Sequence, residues 1–194
     1  MKKRLLFIVL FLWALSAQSY AAIVLSVGPS SQSVTLGSQV SFNVNVTGLG
    51  SGIALGAYDI NIGFNPGLLT YSGIAFGNQL DLSGLGSVQA VTPGSGMVEV
   101  AEVSLDSISD LNTLQAPAFR LATLSFQTLA LGNSSPITLS VNALGDAFGK
   151  SITASVQNGS VSVVAVPEPE EYMMLLLGFG LVGFQVKRKQ KRLS

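Results

Sequence analysis

Glu99 and Glu102 are the two carboxylates in this sequence most plainly placed to act on one substrate bond. Polysaccharide hydrolysis needs two carboxyl groups about 5–9.5 Å apart across the scissile bond. Residues 97–105 read as a strand, and an odd spacing on a strand sends side chains to opposite faces. The pair therefore diverges unless a bulge intervenes. Asp106, Asp110 and Asn112 offer oxygen ligands of the kind calcium takes, but their spacing does not follow the Asp-x-Asp-x-Asp-Gly loop. A solvated turn accounts for them better. The chain has no cysteine and no histidine. That removes Ser-His-Asp and Cys-His nucleophiles together with the common zinc sites. No catalytic residue, metal or cofactor is assigned, and the chain reads as a non-enzyme.

The elements that would position these groups begin after a leader. Lys2, Lys3 and Arg4, an apolar core over 5–15 and the small-x-small triplet Ser19-Tyr20-Ala21 have the pattern of a secretory signal peptide over 1–21. The mature chain is expected to start at Ala22 or Ile23. Between Ala22 and Val166 the bases Arg120 and Lys150 stand against Asp59, Asp81, Glu99, Glu102, Asp106, Asp110 and Asp146, a balance of −5. Such a surface does not suit nucleic acid, whose phosphates require a basic one. The fold must hold without disulfides, and a domain of about 145 residues buries enough surface to do so.

Residues 22–165 alternate apolar and polar side chains with period two. Val40, Phe42, Val44 and Val46 alternate with Ser41, Asn43 and Asn45, and Tyr58, Ile60, Ile62 and Phe64 with Asp59 and Asn61. Each run predicts a strand with one dry and one wet face. Further strands are expected over 23–27, 34–36, 68–76, 97–105, 119–130 and 137–141. Residues 152–156 and 161–163 read as a hairpin closed at Asn158-Gly159. Residues 80–96 are rich in glycine and have no assignment, and 106–117 has room for one short helical turn. Many short strands and no long amphipathic helix predict an all-β antiparallel sandwich.

Residues 166–194 change character three times. Pro167-Glu168-Pro169 is a stiff, extended linker. Residues 172–186 are almost wholly apolar, and Lys187, Arg188, Lys189, Lys191 and Arg192 close the chain. As a helix the apolar run covers only about 22 Å, so spanning a bilayer needs thinning or snorkelling of the flanking bases. Those bases would hold that end in the cytoplasm. This order resembles the PEP-CTERM sorting signal. The resemblance implies a short transmembrane helix, an inner-membrane precursor and processing by an exosortase of the Gram-negative envelope, with delivery to the cell surface or an extracellular matrix.

The order of strands in 22–165 resembles a cohesin domain, a nine-stranded jelly-roll β-sandwich. The similarity is carried by Gly37-Ser38-Gln39-Val40 leading into a strand, by Phe64-Asn65-Pro66 followed by Leu68 and Leu69, by 96–100, by Ala122-Thr123-Leu124-Ser125-Phe126, and by 158–163. It implies a protein-binding module with a dockerin-like partner docked on one sheet face, where Asn43, Asn45, Asp59 and Asn61 are outward candidates. The fold's kinship with cellulose-binding modules makes direct binding of a matrix polysaccharide the alternative. Sugar stacking requires exposed rings, yet 22–165 has no tryptophan and only Tyr58 and Tyr71 as tyrosines. Tyr58 alternates with core residues and is expected to pack with its hydroxyl at the rim. Replacing Pro167, Glu168 and Pro169 by alanine should leave an unprocessed, membrane-retained chain; intact mass of the exported form checks this, and unchanged maturation would contradict it.

Overall fold

Strands form where the apolar period is two, and they stack into a sandwich because each has one face to bury. The computed structural model describes residues 22–50, 52–166, 173–174 and 176–181. Among the described residues eleven strands make two sheets: β1 (Val24–Gly28), β2 (Ser31–Thr35), β3 (Gln39–Thr47), β4 (Leu55–Gly63), β5 (Leu69–Phe76), β6 (Ser87–Gly94), β7 (Met97–Ser104), β8 (Phe119–Thr128), β9 (Gly132–Asp146), β10 (Ser155–Gln157) and β11 (Gly159–Val164). One sheet has the order β10-β1-β3-β8-β5, and the other β2-β11-β9-β4-β7-β6. The all-β sandwich expected from the alternation is present, but it is not wholly antiparallel. β1 pairs parallel with β10, and β2 parallel with β11.

This pairing also corrects the hairpin expected at the end of the domain. Asn158-Gly159 does not close a hairpin, because β10 joins one sheet and β11 the other. Asn158 instead ties the crossing to β9, where its Oδ1 accepts the Leu139 amide at 2.9 Å. The glycine-rich stretch over 80–96 contains a buried leucine, Leu80, and an edge strand, β6. Its hairpin to β7 turns through Gly96 at φ +79°, a left-handed conformation that glycine adopts without strain. The short helix expected between 106 and 117 is α1 (Ile108–Leu114), capped by the Ser107 hydroxyl, which accepts the Asp110 amide.

The core lies between the sheets. Phe126 is its hub, with Phe64, Tyr71 and Phe42 ring centroids at 5.0, 6.1 and 6.3 Å. Around it pack Leu25, Val44, Ile60, Ile62, Val100, Leu124, Ile137 and Val161. Within this apolar volume sits one acid: Glu102 is 1% exposed. Tyr58, 2% exposed, donates its hydroxyl to Glu102 Oε2 at 2.9 Å. The expectation of a Tyr58 hydroxyl at the rim is therefore wrong, since the partner that receives it lies inside.

The leader over 1–21, Pro167, Glu168, Pro169 and the basic residues 187–192 lie outside the described residues. Residues 173–174 and 176–181 are helical. Among the described residues no helix is long and apolar enough to cross a membrane.

Burial, together with the negative charge and hydrogen bond of Glu102, pushes the Tyr58 phenol well above its ordinary value of 10.0. A raised folded value gives stability that is complete below pH 10 and declines above it. Tyr58→Phe should cost about 1–3 kcal/mol by leaving the acid short of a donor. It should also flatten the alkaline decline, as read by urea unfolding across pH; an unchanged midpoint and slope would contradict the assignment.

Candidate binding faces of the sandwich

Each sheet turns one face to solvent, and the four outward polar candidates divide between them. Asn43 and Asn45 are on β3, in the five-stranded sheet, whereas Asp59 and Asn61 are on β4, in the six-stranded one. They occupy opposite sides of the sandwich and cannot line one site.

The outer face of the five-stranded sheet satisfies itself. Ser41 and Ser125 share a hydrogen bond of 2.9 Å, Thr123 donates to Asn43 Oδ1 at 2.7 Å, and Gln39 donates to Ser72 at 3.3 Å. The first two pairs join neighbouring strands and the third reaches across β8, as on a solvated sheet surface.

The six-stranded face is built differently. Its central polar group is a relay in which Asn61 Nδ2 donates to Asn142 Oδ1 at 2.9 Å and Asn142 Nδ2 donates to Asp59 Oδ1 at 3.0 Å. Asn61 Oδ1 is buried and has no partner. Asn142 reaches both β4 residues because β9 bulges there: Asp59 faces Ala143 and Ile60 faces Val141, leaving Asn142 as the extra residue. The signal for this bulge is in the sequence, since two outward residues, Asn142 and Ala143, separate the inward Val141 and Leu144. Sequence reasoning missed Asn142 because the strand it expected ended at Val141, short of the bulge.

Beside the relay the surface becomes apolar and low. Val103 of β7 lies between Val88 of β6 and Ala57 of β4, and Ala101 between Ala90 and Asp59. Val88 is 59% exposed and Val103 48%. Small side chains keep this strip flat, so a partner helix or strand can approach the sheet closely. Glu99 stands in the next row, across from Asn61 and Thr92. The face thus combines two acids and two amides with an apolar strip.

The catalytic candidates do not converge. Glu99 is outward on β7 and Glu102 inward, as the odd spacing predicts. Glu102 Oε1 accepts Ser87 Oγ at 2.6 Å and Gln89 Nε2 at 3.0 Å, so both its oxygens are engaged by the fold. Asp106 also has a structural task. It receives the Leu82 amide at 2.6 Å, the Ser83 amide at 3.1 Å and the Ser83 hydroxyl, closing the loop before β6. Asp110 accepts the Ser107 hydroxyl, and Asn112 donates to the Ile108 carbonyl. Among the described residues no group of three acidic, histidine or cysteine side chains is placed to hold a metal ion.

Burial pushes the Asp106 carboxyl up. The Ser83 hydroxyl, the Leu82 and Ser83 amides and Ser104 outweigh it and hold the carboxyl below its ordinary 3.8. A depressed value gives stability that is present above pH 3.8 and lost as pH falls below it. Asp106→Asn should therefore lower the unfolding midpoint near neutral pH and match the parent in strong acid. Added calcium should leave both midpoints where they are; a calcium-dependent rise in the parent alone would restore the ligand reading of Asp106.

No protein-family profile matches the chain. No curated protein matches it either. Solved structures do. The seventh ScaB type I cohesin from Pseudobacteroides cellulosolvens superposes with a TM-score of 0.61 at 15% identity, over 76% of this chain and 96% of that one. A non-cellulosomal cohesin from the archaeon Archaeoglobus fulgidus gives 0.58 at 18% identity, over 78% and 98%. A type I cohesin–dockerin complex from Clostridium thermocellum gives 0.60 at 14% identity, over 74% and 99%. The sandwich formed by this chain has the cohesin fold.

Proposed function

We propose that the chain is an exported, non-enzymatic module that binds a protein partner on the outer face of its six-stranded sheet. The observation that carries this reading is the pairing of an Asp59–Asn142–Asn61 relay with the exposed Val88–Val103 strip on one flat surface. Charged and amide groups give register and specificity, and the apolar strip gives contact area. Several solved cohesins of the same fold are complexes with dockerins, which supports a dockerin-like partner here. The alternative of direct polysaccharide binding has less support. Tyr58 is buried, Tyr71 is half-buried, and Phe148 is the strongly exposed ring among the described residues of the domain.

The tail reading belongs to the same proposal. Residues 166–194 act as a sorting signal of the PEP-CTERM kind: they hold the precursor in the inner membrane until an exosortase-type enzyme processes it, and the product goes to the cell surface or matrix. The order of Pro167-Glu168-Pro169, apolar run and basic cluster supports it.

A photo-crosslinking residue at Val103 should yield a discrete protein adduct on producing cells, and the same residue at Ser125 should not. Val103→Asp should weaken capture of that partner about tenfold or more, the loss of a modest hot spot. Adducts at Ser125 alone would overturn the choice of face, and saturable glycan binding without any adduct would favour the polysaccharide reading.

A further inference from the structure

One end of the sandwich is assembled from the loops over 35–39, 64–70, 93–97 and 128–136 and from the last described residues of the domain, 163–166. Backbone bonds hold them together: Leu36 donates to Val164, Thr128 to Ser38, Leu129 to Leu68 and Phe64 to Gly96. None of these segments contains an acidic or basic residue. They expose Leu36, Met97, Val164 and Val166, with Leu129 at 52% and Leu131 at 54%. A cleft of about 320 Å³ also opens there, lined by Phe64, Pro66, Tyr71, Pro93 and Leu129. Asp81, Asp106, Asp110, Arg120, Asp146 and Lys150 belong instead to strand ends and loops at the opposite end. The domain is therefore polarised along its strands, with one pole uncharged and greasy and the other mainly acidic.

We infer that the uncharged pole is a lipid-facing surface, resting on the bilayer interface while the tail is embedded. The inference rests on the tail reading proposed above and adds a role for the domain itself. Chain length provides the tether. Five residues separate Val166 from Tyr172, where the apolar run begins, so this pole is held within about 20 Å of the membrane even by a fully extended linker. At that range the effective concentration of lipid greatly exceeds that of a second copy. Tyr71 beside Pro66 and Leu129 is the mix of ring and aliphatic side chains that settles at headgroup depth.

The test uses the mature chain over 22–194, without the leader whose own apolar core would bind vesicles, in phosphatidylcholine vesicles. Because the chain has no cysteine of its own, Ser95→Cys at the uncharged pole and Ser109→Cys at the acidic pole give single sites for a fluorescent label. Vesicle flotation reports on the tail, and quenching by brominated phosphatidylcholine reports on the surface. The expected result is flotation, with several-fold stronger dimming at position 95 than at 109, and loss of that difference on combining Leu129→Gln with Leu131→Gln. Flotation with equal dimming at both sites would overturn the lipid-facing surface and leave the tail reading standing. Absence of flotation would overturn both. A label at 95 shielded from aqueous iodide yet undimmed by brominated lipid would mean that protein covers this pole, and that too would overturn the inference.

Discussion

The arrangement of this sandwich depends on a carboxyl group placed where an apolar side chain would ordinarily sit. Removing an acid from water costs several kcal/mol unless its oxygens are bonded. Glu102 meets that demand with donors from two neighbouring strands: Tyr58 on β4, and Ser87 and Gln89 on β6. The three bonds act as a pin through three strands. β6 needs such a pin, because it is an edge strand with little buried side chain of its own. Strands of that kind are prone to slip, and a slip of one residue turns every side chain to the other face. With Ser87 and Gln89 facing inward toward Glu102, Val88 and Ala90 must face outward beside Val103 and Ala101. The buried acid therefore determines what the surface presents.

The same logic joins the other polar side chains of the interior and loops. Gln115, just after α1, bonds both the amide and the carbonyl of Leu55 and the carbonyl of Gln79. Asp106 closes the next loop. Together they seat the long connection between β5 and β6, whose glycines would otherwise leave it loosely specified. Acidic groups are thus spent on internal ties and on the six-stranded face, and the pole from which the tail departs is left without charge.

Much of this was legible in the residue pattern, and the failures have physical causes. The alternation in 40–46 and 58–64 gave β3 and β4 with the correct inward faces, because burial on one face of a strand imposes period two. The divergence of Glu99 and Glu102 followed from the same geometry. The fate of Glu102 did not follow, since its partners on β6 are brought close only by a pairing that local pattern cannot specify. Tyr58 was misread for the same reason: a phenol is assigned to the rim when no internal acceptor is foreseen. Asn158-Gly159 has the chemistry of a hairpin turn, and only the split of β10 and β11 between sheets shows that it serves a crossing. The division of Asn43 and Asn45 from Asp59 and Asn61 is likewise a matter of which sheet each strand joins. The reading of the tail motif and the basic cluster rests on sequence order alone, because those residues lie outside the described ones.

If Glu102 sets the register of β6, then a cysteine pair at Val88 and Val103 should report it directly, in a protein with no other thiol. The two positions face each other in the structure, within the range a disulfide bridges. Oxidation of Val88→Cys with Val103→Cys should give the disulfide in high yield by mass spectrometry, and adding Glu102→Leu should reduce that yield even if the apolar substitution leaves overall stability intact. Equal yields with and without Glu102 would contradict the account, because the outer face would then be set by something other than the buried acid.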